Sequence, residues 1–376
     1  MIYLDFNSTA PMRPEVLEAM RPWLLATGNP ASAHAAGRKV RQALEDAREK
    51  VAALLGAFPD EVIFTSGATE ANNLAIFGLC GDPPGHILAN PTEHPSVIEP
   101  LKRLVERGFD IEWLPVTSEG IIPAEAVQSR VRGDTRLICV MLANHETGAI
   151  NPVAESVPAK PQAAVHCDAV QAVGKIPVNF HKLGVTSLSA SAHKFYGPPG
   201  IGFLLLNRCA KLKPMLFGGQ QQQSRRPGTE SAALAIGLAT ALELALTERE
   251  AMQVRMLDQR HRFLAGLERH CAPVDLNGPT IGGLPQTINV SFPGCRADAL
   301  FMAVDLAEVA CATGSACSSG SLLPSPVLQA MGITGERLLS AMRFSLGAGL
   351  SESDIDVAVL RIAKVARRLR ETESED

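Results

Sequence analysis

The chain has no two cysteines at CxxC spacing, although cysteines stand at 80, 139, 167, 209, 271, 295, 311 and 317. A chain of 376 residues is large enough to fold without disulfide staples, so most of these thiols are expected as small buried hydrophobes in a reducing compartment. No metal site is expected. No leader is visible either: Met1-Ile2-Tyr3-Leu4-Asp5-Phe6 lacks a basic region followed by an apolar stretch, which makes the cytoplasm the expected location. The longest apolar segment, residues 232–246, is interrupted by Thr240 and Glu243 and reads as a buried helix rather than a bilayer span. A net charge of −4 has no excess of either sign to suggest nucleic acid or a membrane as partner. Repeats are absent, and so is a Gly-Lys-Ser/Thr, which excludes a Walker loop.

What is present is an ordinary globular composition, 46% apolar and 20% charged, able to bury a real core. A helical pattern over residues 35–55 puts Val40, Leu44, Ala47, Val51, Leu54 and Leu55 on one face. Then come a β-rich run, Glu61-Val62-Ile63-Phe64-Thr65, a tight turn, and a helix to Leu79. The alternation recurs in His86-Ile87-Leu88-Ala89 before a helix near 97–107, in the apolar run 137–142, in Ala164-Val165-His166-Cys167, and in 201–206. Short apolar strands separated by helices predict an α/β fold, a mostly parallel sheet with helices on both faces and ligands beyond the strands' carboxyl ends. A single long helix is expected over 231–269. After it, Gln286-Thr287-Ile288-Asn289-Val290-Ser291-Phe292 alternates like an antiparallel strand, and 360–370 reads as a last helix. The expected division is a large domain over 14–254 and a smaller α+β domain made of 1–13 and 255–376.

Lys194 stands in Ser191-Ala192-His193-Lys194-Phe195-Tyr196-Gly197-Pro198-Pro199-Gly200, between two strand-like runs. A surface lysine in a loop is one reading. A tight buried connection is the other, and a lysine there is costly unless its amine is neutralised or condensed with an aldehyde. Asp168 ends a strand, where a carboxylate serves as a helix N-cap or, beside a pyridinium nitrogen, keeps it protonated; Gln171 follows within reach of a ring hydroxyl. Ser66-Gly67-Ala68-Thr69 opens a helix directly after a strand, as a capping turn or as an anion site suited to a phosphate. His94, in Pro91-Thr92-Glu93-His94-Pro95, is structural by itself and a stacking and proton-transfer group if Lys194 and Asp168 make a cofactor site. Cys317 is embedded in Gly314-Ser315-Ala316-Cys317-Ser318-Ser319-Gly320, a small, polar setting that offers a thiol access. Arg343 between Met342 and Phe344 is either a salt-bridged structural residue or a clamp for a substrate carboxylate.

At these residues the sequence resembles the cysteine desulfurases, pyridoxal-phosphate (PLP) enzymes of fold-type I related to class-V aminotransferases. The motifs run in order through Tyr3-Leu4-Asp5, Gly28-Asn29-Pro30-Ala31-Ser32, Thr65-Ser66-Gly67-Ala68-Thr69-Glu70, Thr92-Glu93-His94 and Cys167-Asp168-Ala169-Val170-Gln171. They continue through Ser191-Ala192-His193-Lys194, Arg225-Arg226-Pro227-Gly228-Thr229, the Cys317 segment and Arg343-Phe344-Ser345-Leu346-Gly347. The resemblance implies a seven-stranded-type sheet in the large domain and PLP carried on Lys194. It implies Asp168 at the ring nitrogen, Gln171 at the phenolic oxygen and His94 on the ring face. Thr69, Ala68, Ser191 and His193 would hold the phosphate, with Thr229 reaching it from the partner subunit of a homodimer. Arg343 and Asn144 would bind the carboxylate of L-cysteine, and Cys317 would take its sulfur as a persulfide, leaving L-alanine. A sulfur-acceptor scaffold protein is the implied partner, in iron–sulfur cluster or other sulfur-cofactor synthesis.

Two departures stand out. The usual Asn-Asn-Glu reads Asn144-His145-Glu146, which alters the surroundings of Asn144. Pro158 and Pro161 fall where the family has an uninterrupted helix; an interior proline costs about 3 kcal/mol, so a broken or absent helix is expected. The C-terminal end matches no scaffold-docking extension, which leaves the acceptor open. A selenocysteine lyase, an aminotransferase in which Cys317 is incidental, and a sulfur carrier without turnover are the alternatives.

Overall fold

The computed structural model describes residues 1–157, 163–314 and 323–373. In chain order the strands are β1 Ile2–Tyr3, β2 Val62–Thr65, β3 Gly85–Ala89, β4 Phe109–Trp113, β5 Thr135–Cys139, β6 Ala164–Asp168, β7 Ser187–Ser191, β8 Gly202–Leu206, β9 Asp275–Asn277, β10 Thr287–Ser291, β11 Val309–Ala310 and β12 Ala341–Ser345. The large sheet has seven strands in the order β2-β8-β7-β6-β5-β3-β4. It is the mostly parallel sheet read from the sequence, with β8 alone antiparallel to its neighbours β2 and β7.

Both faces are covered, and the two-residue period of a strand sorts the side chains between them. Val62, Phe64, Phe203 and Leu205 join a core with Val40, Leu44 and Val51 of the helix Ala35–Leu55. Their neighbours Ile63, Leu204 and Leu206 pack instead on Ala71, Leu74 and Ala75 of the helix Ala68–Leu79. Each fully buried Leu, Ile or Val contributes about 1.5–3 kcal/mol, so the sandwich holds its strand ends in fixed positions.

A second core lies around the antiparallel order β12-β10-β9. It gathers Phe263, Phe292, Phe344, Ile355 and Ile362, and also Leu4 and Phe6 from the start of the chain. β1 pairs with β11 in parallel, and Asp5 bridges Ser345.

The single helix expected over 231–269 is instead two, Ala232–Thr247 and Arg249–Cys271. The break falls at Glu248, whose carboxylate pairs with Arg13 at 2.5 Å. Periodicity does not reveal it, because both halves are helical; the chain turns there to leave the first core for the second. Among the described residues near the two prolines, the helix Val153–Ser156 stops and Val157 is extended; Pro158 and Pro161 lie outside them. The final helix is longer than expected, Glu352–Glu373.

Candidate active site

On β6 the side chains of Val165 and Cys167 face the core beneath the helix Ala35–Leu55, which leaves His166 and Asp168 on the opposite face. On β7, Leu188 and Ala190 likewise join that core, leaving Ser187, Ser189 and Ser191 opposite. Asp168, His166 and Ser189 of this polar stripe are tied together by one residue of the helix above it, Asn72, which is fully buried. Its Nδ2 donates to Asp168 Oδ2 and to Ser96 Oγ, both at 2.8 Å. Its Oδ1 accepts from Ser189 Oγ at 2.5 Å and from His166 Nε2 at 3.0 Å. The Nδ1 of His166 therefore accepts from Ser187 Oγ at 2.9 Å, and burial drives this imidazole's pKa down to about 3. The other carboxylate oxygen of Asp168 accepts from Val170 N at 3.0 Å. Part of the expected capping role is thus present, and Asp168 still lines the cavity.

Lys194 lies in a tight turn, Ala192–Phe195, directly after β7. Its Nζ donates to the carbonyls of Asn7 and Ser8, both at 2.6 Å, so the N-terminal segment holds the amine at the cavity wall. Beside it, His193 Nδ1 meets Thr9 Oγ1 at 3.1 Å. Burial, helped by Lys194 and Lys175, lowers the His193 pKa to about 4.

His94 caps the helix Pro95–Glu106. Its Nδ1 accepts from Ser96 N at 3.1 Å and meets Ser96 Oγ at 2.8 Å, which places the proton of the neutral ring on Nε2. Burial lowers its pKa, against the pull of Asp168 and with the push of Lys194 and Arg343. At β2, the turn through Ser66 and Gly67 opens the helix Ala68–Leu79, whose first N–H groups have no intrahelical acceptor. Ser66 N donates to Glu70 Oε2 at 2.7 Å, and Glu70 pairs with Arg226 at 2.7 Å. A Cβ on Gly202 would fall 2.5 Å from Ala190 O and 2.8 Å from Gly67 Cα, so only glycine lets β8 support the turn this closely.

These groups converge on one cavity of about 380 Å³, at the carboxyl ends of β2, β6 and β7. Lys194, Asp168, Gln171, His94, Ala68, Thr69, Ser191, His193 and Arg343 all line it. Gln171 donates to Asn7 O at 3.0 Å and accepts from Lys175 Nζ at 2.5 Å; Lys175 is half-buried, and desolvation, with Lys194 and Arg343 nearby, lowers its pKa to about 7. Arg343 is 2% exposed. Its Nη2 pairs with Asp5 at 2.7 Å and its Nη1 donates to His145 O at 3.3 Å, while its Nε has no partner among the described residues. The salt-bridged reading is present in the pair with Asp5, and the same side chain lines the cavity.

Two expected residues are not brought there. Asn144 is fully buried: its Nδ2 donates to Thr92 O at 3.0 Å, and its Oδ1 accepts from Glu146 N at 2.8 Å and Thr147 N at 3.0 Å. That amide is committed to its own turn, and its neighbour His145 lines the cavity instead. Thr229 is exposed and does not line the cavity of its own chain. Cys317 lies outside the described residues. Among the described cysteines only Cys209 is exposed; burial pushes Cys139 and Cys167 well up, Cys271 to about 11 and Cys311 to about 12.

The donor set fits pyridoxal phosphate. The amine of Lys194, the buried carboxylate of Asp168, the imidazole of His94 and a helix N-terminus over a glycine-supported turn surround a single space, with the guanidinium of Arg343 on the same wall. Sequence reasoning missed Asn72, Lys175 and the Asn7 and Ser8 carbonyls. Asn72 was legible only as a polar residue on a helix face otherwise carrying Ala71, Leu74 and Ala75.

Among the described residues no group of three or more His, Cys, Asp and Glu could hold a metal ion, and no helix is long and apolar enough to cross a membrane. The family described as Aminotransferase class-V matches residues 2–357. The cysteine desulfurase IscS of Dictyoglomus turgidum is 42% identical over 375 residues, 98% of this chain and 95% of that one. The putative cysteine desulfurase IscS 1 of Bacillus subtilis is 40% identical over 98% of this chain and 99% of its own. A solved NifS-like protein superposes with a TM-score of 0.91 at 32% identity, covering 98% of this chain and 99% of that one.

Proposed function

The chain belongs to the Aminotransferase class-V family, alongside cysteine desulfurases, and we propose that its cavity converts L-cysteine to L-alanine and passes the sulfur to Cys317 as a persulfide. The observation that carries this reading is the convergence of Lys194, Asp168, His94 and Arg343 on one cavity. Bound through Lys194, pyridoxal phosphate supplies an electron sink that acidifies the substrate Cα–H.

Asp168, oriented by Asn72, would hold the proton on the cofactor's ring nitrogen. Gln171 and His94, which line the same cavity, would hold its phenolic oxygen and its ring face. The N–H groups at Ala68 and Thr69, with Ser191 and His193, receive the phosphate. Arg343 binds the substrate carboxylate. The amine of Lys194 would serve as the base that takes the substrate's Cα proton. His94 moves a proton at Nε2, since Nδ1 is held by Ser96. The Cys317 thiolate attacks the substrate sulfur: an S–S bond forms, the Cβ–S bond breaks, and its electron pair stays with carbon and is protonated, so that alanine leaves.

In this reading 14–254 is the cofactor-binding domain and 1–13 with 255–376 the smaller one. Thr229 of a second copy completes the phosphate site of a cytoplasmic homodimer. An acceptor protein collects the sulfur for iron–sulfur clusters or another sulfur-containing cofactor.

The test is to incubate PLP-loaded protein with L-cysteine, measuring alanine and the addition of one sulfur atom to Cys317. Cys317→Ser should release no alanine at the wild-type rate; if it does, the nucleophile is elsewhere. Borohydride followed by peptide mapping should find the cofactor on Lys194. Keto-acid production without sulfur transfer would make the protein an aminotransferase, and a strong preference for selenocysteine would make it a lyase.

A further inference from the structure

Lys175 stands in the turn that leaves β6, where its N–H donates to Ala172 O at 3.0 Å and its carbonyl accepts from Gln253 Nε2 at 2.7 Å. Its side chain does not line the cofactor cavity. It lines a neighbouring one, with Phe195, Arg13 and Glu248. Glu248, the carboxylate there, is taken by Arg13, and the charges acting on Lys175 are the cations Lys194 and Arg343. Desolvation and those cations lower its pKa to about 7, so a lysine at this place costs stability, and keeping it points to a task. The link to the cofactor cavity is Gln171, which lines that cavity, is 4% exposed, and accepts from Lys175 Nζ on its Oε1 at 2.5 Å.

An amide can present its oxygen or its NH2, two ends of nearly the same shape, and its partners choose between them. The Lys175 ammonium only donates, so the oxygen of Gln171 is held on its side and the NH2 on the other. One Nε2 proton goes to Asn7 O at 3.0 Å, and a second remains to be given. Asn7 O is a shared acceptor, because Lys194 Nζ also donates to it at 2.6 Å. The firmer constraint on the amide is therefore at its oxygen end.

Resting on the proposed function, we infer that Lys175 is a positioning residue: by holding the oxygen of Gln171 it commits the second Nε2–H to the cofactor's phenolic oxygen. A cation at one end of an amide also polarises it, which strengthens donation from the other end. Without Lys175 the amide of Gln171 is able to turn over and set its own oxygen against that of the cofactor, exchanging an attraction for a repulsion. Lys175 thus acts on the cofactor from a second cavity, through one intervening side chain.

The experiment measures the affinity of each apoprotein for PLP and for its deoxy analogue, which lacks the phenolic oxygen, following the absorption of the bound cofactor. Lys175→Met should bind PLP roughly fivefold more weakly and the analogue as tightly as wild type does. Lys175→Arg, which keeps a charged donor, should recover most of the loss. In a Gln171→Leu background, Lys175→Met should cost PLP affinity nothing further, since the two side chains act as one unit. Should Lys175→Met not fold, Lys175→Ala removes the donor with less bulk and should behave alike. Equal losses for both ligands would reduce Lys175 to a packing role and overturn the assignment. No loss for either ligand, or an undiminished loss in the Gln171→Leu background, would overturn it as well. Wild-type protein that neither binds PLP nor releases alanine would instead sink the proposed function.

Discussion

Asn72 and Asp168 are joined by a 2.8 Å hydrogen bond, and the second amide proton of Asn72 reaches Ser96, the residue that holds His94. One side chain thus orients both the acid and the imidazole of the site. Asn72→Leu keeps the volume and leaves Asp168, Ser189 and His166 short of partners in a buried layer. At roughly 1–3 kcal/mol for each unsatisfied group, the variant should lose about 3 kcal/mol or more of stability in urea unfolding. It should also bind PLP more than tenfold more weakly; an unchanged PLP affinity would mean that Asp168 is held by something else.

Gly202→Ala should weaken PLP binding although Gly202 itself does not line the cavity. The added methyl would meet backbone, Ala190 O at 2.5 Å and Gly67 Cα at 2.8 Å, and backbone has no rotamer to yield. Overpacking of this kind costs about 1–3 kcal/mol. Its outlet is displacement of the phosphate turn, so the phosphate-free cofactor analogue pyridoxal should be affected less than PLP in apoprotein titrations.

Arg343→Lys should raise KM for L-cysteine by about tenfold or more, the loss of a charge-assisted hydrogen bond of roughly 1.5–3 kcal/mol, with a smaller change in kcat. A drop in kcat alone would place Arg343 with the reacting atoms rather than with the carboxylate. Because Arg343 also pairs with Asp5, the same change should lower the melting temperature, and Asp5→Asn should share that thermal effect.

Acid sensitivity should have a specific origin. In the folded protein His166 takes up a proton only near pH 3, whereas an unfolded histidine does so near about 6.5. Between those values the unfolded chain binds the extra proton, so stability rises with pH and is lost as pH falls through the window. The slope from one such group is about 1.4 kcal/mol per pH unit. His166→Gln should flatten the dependence of unfolding free energy on pH by about one proton between pH 6 and 4. An unaltered slope would place the acid-sensitive group elsewhere, His193 being the next to test.

The amino-acid order by itself determined the α/β sandwich, because strands buried on both faces leave continuous apolar runs such as Phe203, Leu204, Leu205 and Leu206. It also determined which residue types stand at strand ends, Asp168, His94 and Lys194 among them. Local patterns carry no direction, so the break at Glu248 was invisible: both flanking stretches are good helix, and only the need to move from one core to another separates them. Register along a turn was equally hidden. Tertiary packing alone decided that Asn144 turns its amide inward, that His145 faces the cavity, and that Asn7 and Ser8 reach Lys194 from the far end of the chain. The Asn144 amide is taken by Thr92 and by its own turn, whereas the contacts of Asn7 with His145 and Lys194 join groups more than a hundred residues apart in sequence, and such hydrogen bonds exist only once the two cores have formed.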